Sequence, residues 1–280
     1  MRVALKIAYD GRTFYGHQRQ PDARTVEGEC LAALRSARIL SDPGKAFFRS
    51  ASRTDRGVSA IGNVIAFDAA LRPEAVLGAF NDKARDVWAW AFAAVPDSFH
   101  PRHAEERWYR YHLLDPPATE RLREAAKLFE GEHDFRWFTS DPPAGPFSLR
   151  AVDVNEAAGG TIIDVRAGSF RRGMVRRIVA AMLTHAEGEV TLEEIEDALR
   201  GTRHDFGLAP AEPLVLMDVR YRLSFKPLLK PKVVEEWGRI LADLTLRSNF
   251  MNGLREAAIG SAKPAARSHS LNRGSTLADR

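Results

Sequence analysis

The stretch 87–114, VWAWAFAAVPDSFHPRHAEERWYRYHLL, holds two strands in succession. Residues 87–95 form a long apolar run, and 106–114 alternates, with Tyr109, Tyr111 and Leu113 on one side. Upstream, Val3, Leu5, Ile7 and Tyr9 alternate as a strand. Thr25 can N-cap a helix with Glu27 and Glu29 in its first turn and Val26, Cys30, Ala33, Leu34 and Ala37 on one face. Short strands at 46–50 and 63–68 flank a polar, glycine-containing loop, and Pro73 opens a second helix to residue 81. The order up to residue 95 is therefore β-α-β-β-α-β. Downstream of 114, Thr119 starts a helix expected to end at Gly131, a good residue beyond a helix C-terminus. Strands at 151–155 and 161–167 make a hairpin around Gly159 and Gly160, and a helix runs from about 172 to 186. Thr191-Leu192-Glu193-Glu194 is a capping box for a helix stopped by Gly201, and 214–220 closes as a strand. The second half repeats β-α-β-β-α-β with one extra helix.

The fold class expected is α+β. Two ferredoxin-like units form a mainly antiparallel sheet platform with helices on one side and a cleft between the units. The expected division is 1–104, 105–223, a helical extension at 224–258 and a basic, disordered tail at 259–280.

Composition narrows the classes. At about 150 residues per domain, 280 residues suffice for roughly two cored domains. The single Cys30 excludes an internal disulfide framework and a cysteine-rich zinc site. No apolar run approaches the ~18 residues of a membrane span, and the N-terminus turns charged too early for a signal peptide. A soluble, cytoplasmic protein is expected. The net charge of +4 is uneven: residues 224–280 carry ten basic and five acidic groups, leaving 31 and 32 in the body. A nucleic-acid surface must then come from local clusters, such as Arg171, Arg172, Arg176 and Arg177, together with the tail. Nucleotide-phosphate loops of the G-x-x-x-x-G-K-[ST] or G-x-G-x-x-G kind are missing, as is H-E-x-x-H, so neither a nucleotide cofactor nor a metal is expected.

Three segments could carry chemistry. Ser52-Arg53-Thr54-Asp55-Arg56-Gly57-Val58 sets one carboxylate between two guanidinium groups, which favours an ionised, oriented carboxylate able to act as nucleophile or base. A salt-bridged turn is the plainer alternative. Arg107-Trp108-Tyr109-Arg110-Tyr111 places two tyrosines on one strand face, where they could stack on nucleobases or simply pack in the core. In 168–179, arginines surround an apolar helical stripe; they could touch phosphates, reach a carboxylate or face solvent.

Together these segments resemble the TruA family of tRNA pseudouridine synthases, and its archaeal members in particular. The resemblance rests on ordered blocks over about 220 residues. Tyr9-Asp10-Gly11, Gly16-His17-Gln18-Arg19-Gln20 and Thr25-Val26-Glu27 come first. Arg53-Thr54-Asp55-Arg56-Gly57-Val58, Phe99-His100-Pro101-Arg102, Tyr109-Arg110-Tyr111 and Gly131-Glu132-His133-Asp134-Phe135 follow. Phe170 with Met174-Val175-Arg176, then Ala209-Pro210-Ala211-Glu212 with Leu214, complete the series. Departures from the family pattern include His17 where Trp is frequent, Gly173 at an often bulky position, and Pro213 in place of Gly.

The resemblance implies isomerisation of uridine in the tRNA anticodon stem-loop, at positions 38 to 40, by a homodimer without cofactor. It implies Asp55 as the catalytic aspartate and Arg53 as the residue that takes the place of the flipped nucleotide. Tyr109 would stack on the base and take part in proton transfer, Arg176 would pair with Asp55, and Leu214 would wall the uracil pocket. A catalytically silent tRNA-binding module and a glycosylase that uses Asp55 are the competing readings.

Overall fold

The computed structural model describes residues 1–114, 118–141, 146–157 and 159–261, with the side chains of 259–261 left aside. The first half comprises β1 (Arg2–Tyr9), α1 (Val26–Ser36), β2 (Arg49–Ser50), β3 (Ser59–Asp68), α2 (Pro73–Asn81) and β4 (Val87–Val95). The second comprises β5 (Glu106–Leu113), α3 (Thr119–Leu128), the short strands β6 (Gly131–His133) and β7 (Phe147–Leu149), β8 (Ala151–Ala157), β9 (Gly160–Ala167), α4 (Met174–Glu187), α5 (Leu192–Leu199) and β10 (Leu214–Arg220).

The strand order is β4-β1-β3-β2 in the first half and β10-β5-β9-β8 in the second, and every neighbouring pair within a half is antiparallel. Each half thus has the ferredoxin-like order. A single continuous sheet results because β10 runs parallel to β3, with Val215 opposite Ser59 and Leu216 opposite Ala60. The edge that β10 takes is the one β2 begins to occupy farther along, at Ile65 and Ala66. After Ala51, whose N–H still donates to the Val64 carbonyl (2.8 Å), the chain leaves that edge. The departing segment is the loop that carries Asp55. Its departure both frees the edge and sets the loop at the seam of the two halves.

Alternation along β1 buries Val3, Leu5, Ile7 and Tyr9 in the core that also takes Val26, Leu31 and Leu34 of α1 and Val76, Leu77 and Phe80 of α2. The Thr25 hydroxyl accepts from the Gly28 N–H (3.2 Å), and Thr191 and Glu194 form both halves of the capping box. Two expectations need correction. The strand expected at 46–50 is confined to β2, because the Asp42 carboxylate accepts from the Gly44 and Lys45 N–H groups and Phe47 takes a left-handed turn conformation (φ 47°). The helix expected to reach Gly131 ends at Leu128: Phe129 is fully buried edge-on to Phe138, and Gly131 opens β6 against β7.

Residues Met1–Lys230 form one compact unit, closed by β11 (Lys226–Pro227) pairing with the outer edge of β4. The helix α6 (Pro231–Ser261) belongs to a second unit, and the helical extension expected at 224–258 starts later than expected because Lys226–Pro227 are taken into the sheet. Residues 262–280, most of the expected disordered tail, lie outside the described residues. Among the described residues no helix is long and apolar enough to cross a membrane.

Candidate active site

The loop after Ala51 is held from beneath. Asn63 on β3 is fully buried and uses its whole side-chain amide. Its Oδ1 accepts from the N–H groups of Ser52 (3.2 Å) and Val64 (2.9 Å), while Nδ2 donates to the Ser52 carbonyl (3.0 Å) and the Tyr9 hydroxyl (3.2 Å). The Tyr9 and Thr54 hydroxyls are hydrogen-bonded at 2.9 Å, and the His17 N–H donates to the Thr54 carbonyl (3.0 Å). Gly11 packs so closely on this loop that a Cβ there would lie 2.2 Å from the Val58 carbonyl oxygen. The first two sequence blocks, 9–11 and 16–20, are therefore the bed of the block 53–58.

Asp55 stands half-buried on this bed. Arg176 Nη1 donates to its Oδ2 (3.2 Å), and Arg176 Nε is itself anchored on the Ala209 carbonyl (2.7 Å). Arg176 sits in the first turn of α4, which begins at Gly173 in a left-handed conformation (φ 70°). A Cβ at Gly173 would also meet Ser140 Oγ at 3.3 Å, so the turn accounts for glycine at a position that is often bulky in the family. The chain neighbours Arg53 and Arg56, expected to flank the carboxylate electrostatically, form no ion pair with it. The Arg56 guanidinium lies over the Tyr15 ring (4.4 Å), and Arg53 is exposed and has no ion pair among the described residues.

Tyr109 comes from β5, opposite Leu216 of β10, and packs edge-on against Phe170 at 5.1 Å between centroids. Burial pushes its phenol up to about 12, partly opposed by the Arg107 charge and the Ser52 hydrogen bond, with the Asp55 carboxylate adding to the rise. The hydroxyl is therefore protonated at neutral pH. Leu214 is buried in the same wall. Thus Arg53, Asp55, Tyr109, Arg176 and Leu214, from four separate segments, line one cleft of about 770 Å³. Tyr111 does not join them: it is 2 % exposed and is a core residue.

Sequence reasoning missed Asn63 and Arg107. Nothing in the sequence around Asn63 distinguishes it. Arg107 was legible, since strand alternation puts it on the face of Tyr109. It is 6 % exposed and donates to Ser52 Oγ (3.0 Å) and to the carbonyls of Ala51 (3.2 Å), Arg102 (2.9 Å) and Gly168. All of these acceptors are neutral, so its charge is not cancelled. Arg53, Arg56, Arg102, Arg107, Arg171, Arg172 and Arg176 line the cleft against Asp55 and Asp141. Only Arg176 among these arginines forms an ion pair within the described residues. The cleft is a cation-rich basin around one oriented carboxylate, suited to a polyanion.

A basic cleft at the seam of two ferredoxin-like halves, with an arginine-held aspartate at its floor, describes an enzyme that works on nucleic acid. Residues 125–222 match the family described as tRNA pseudouridine synthase. The chain is 46% identical over 268 residues to tRNA pseudouridine synthase A of Thermococcus onnurineus (strain NA1), covering 91% of this chain and 100% of that one. It is 42% identical over 233 residues to the protein of the same name from Methanococcoides burtonii, covering 81% of this chain and 85% of that one. The class is therefore that of the pseudouridine synthases, isomerases that convert uridine to pseudouridine. Within it, the chain belongs to the tRNA pseudouridine synthase A family, in its archaeal form.

Proposed function

We propose that Asp55 is the catalytic carboxylate and that the substrate uridine lies in the anticodon arm of tRNA, at positions 38 to 40. The observation that carries the first part is the Asp55–Arg176 pair (3.2 Å) at the floor of a cleft walled by Tyr109 and Leu214. The motif resemblance supports the second, and it equally supports a homodimer acting in the cytoplasm. A paired base must first leave its stack, at a cost of a few kcal/mol. Arg53, exposed and free of any ion pair among the described residues, is available to fill the space it vacates. The uracil then rests against Tyr109.

The chemistry breaks the C1′–N1 bond, turns the uracil while it is held, and forms a C1′–C5 bond. N1 ends with a proton and C5 loses one, so atoms balance within the nucleotide. Nothing is oxidised and no water is consumed overall, so the reaction itself calls for no cofactor. Asp55 adds to the uridine as the C1′–N1 bond breaks and is released again once the C1′–C5 bond has formed, so the carboxylate is regenerated each turnover. The Tyr109 hydroxyl, linked to Ser52, takes part in moving the proton. The exposed cleft arginines Arg56, Arg102, Arg171 and Arg172 hold the phosphates and set the register, with the buried Arg107 charge behind them.

The test is to incubate wild type and Asp55→Ala with an unmodified tRNA transcript and map pseudouridine at nucleotide resolution. Wild type is expected to modify the anticodon arm. Asp55→Ala is expected to fall at least ~10⁴-fold in rate, as loss of a nucleophile does, while still binding tRNA. Pseudouridine formed at an undiminished rate by Asp55→Ala would overturn the assignment. Modification outside positions 38 to 40 would overturn the site.

A further inference from the structure

Three residues of the cleft wall, His17, Arg53 and Arg102, also line a second cavity of about 280 Å³, which is bounded elsewhere by Phe48, Arg49 and Ser50. Its charge is strongly one-sided. Arg49, Arg53 and Arg102 have no ion pair among the described residues; Arg49 Nη1 donates only to the Phe48 carbonyl (2.8 Å). Glu27 also faces the cavity, but it is already paired with Arg19 (3.2 Å).

The same wall contains polar atoms without protein partners. His17 is 1 % exposed and neither ring nitrogen is hydrogen-bonded, and the buried Oγ of Ser50 has no partner either. A buried polar atom left unpaired costs roughly 1–3 kcal/mol. Three of them beside three uncompensated guanidinium groups make a space rich in donors and short of acceptors. The volume is many times the ~30 Å³ share of one water molecule. A nucleobase is less well suited, because Phe48 is already stacked on Phe67 (6.1 Å) and offers no free ring face.

We propose that this cavity is a subsite for a phosphodiester group of the RNA strand that carries the target uridine. Arg49 and Arg102 supply the charge, and His17 and Ser50 stand in the wall. The strand would run from the uridine at Asp55 past Arg53 into this space. The inference rests on the reading that the Asp55 cleft receives the uridine.

The experiment is a neutral-linkage scan with the full chain. Substrate tRNA is assembled with a single methylphosphonate linkage, moved one position at a time through the linkages flanking the modified uridine. Binding is measured for wild type, Arg49→Ala and Arg102→Ala. At one linkage, wild type is expected to lose about tenfold in affinity while Arg49→Ala and Arg102→Ala each lose clearly less, because part of the charge that linkage met is already gone. Arg49→Ala should also flatten the dependence of log K on log salt by roughly 0.7–0.9, the loss of one phosphate contact. Equal penalties in wild type and both variants at every linkage would overturn the proposal. An abasic substitution that couples to Arg49→Ala in place of a linkage would also overturn it, in favour of a base. Failure of the underlying reading shows separately, as pseudouridine still formed by Asp55→Ala.

Discussion

The imidazole of His17 lies under the loop that carries Asp55, its ring 6.2 Å from that of Tyr9. Burial, helped by the Arg53 charge, lowers its pKa from 6.5 to about 4. The unfolded chain therefore takes up a proton between about pH 6.5 and 4 that the folded chain refuses. The His17 contribution to stability is intact above that window and is lost as the pH falls through it. Wild type should lose up to about 3 kcal/mol from this residue between pH 7 and 4. Denaturant melts at the two pH values test this against His17→Phe, which should lose correspondingly less. Equal losses would show that the imidazole titrates normally. Asp55 shows how remote the partner of a single side chain can be: its guanidinium comes from Arg176, 121 residues along the chain, while the adjacent arginines turn elsewhere.

Among the elements, β3 has the largest role. It pairs with β1 on one edge and with β2 and β10 on the other, and through Asn63 it fixes the start of the loop that carries Asp55. Asn63→Leu keeps the volume roughly constant and strands the Ser52 N–H and carbonyl, while the Tyr9 hydroxyl keeps only its bond to Thr54. Each buried group left unpaired costs roughly 1–3 kcal/mol, so the variant should melt well below wild type. In the folded fraction, single-turnover pseudouridine formation should slow at least ~10-fold while tRNA affinity changes little, because misplacement of Asp55 affects the reacting atoms only. An unchanged turnover rate would show that the clamp is dispensable. Such an element-level role is invisible in sequence, since an asparagine in a strand gives no sign of which loop it faces. The elements themselves were legible: β4, β10 and the capped helices α1 and α5 follow from periodicity and capping chemistry, which depend on neighbours in the chain. The ends of β2 and α3 were not, because a local Asp42 turn and the packing of Phe129 decided them.

For the whole molecule, charge is the property that matters. The body is close to neutral, yet six arginines without an ion pair among the described residues line the cleft, while the last fifty residues carry eight basic and five acidic groups. Because β11 completes the edge of β4, a truncation that spares the fold must fall after Lys230. That truncated protein should bind tRNA more weakly, with a flatter dependence of log K on log salt, if 231–280 contacts phosphates. Titrations at several salt concentrations read this directly. A salt slope equal to that of wild type would assign all the phosphate contacts to the cleft.

The sequence by itself determined the repeated β-α-β-β-α-β order, the family, and the identity of five residues of the candidate site. These follow from short-range periodicity and from ordered motifs, which are properties of chain neighbours. Only the tertiary structure decided that β10 joins β3, that Arg53 and Arg56 turn away from Asp55, and that Asn63 and Arg107 support the loop. Tyr111 was likewise separated from Tyr109 only in three dimensions. The reason is physical: ion pairing, hydrogen-bond satisfaction and burial depend on which segments meet across the sheet, and those segments lie far apart in the chain, 121 residues for Asp55 and Arg176 and 156 for Ser59 and Val215.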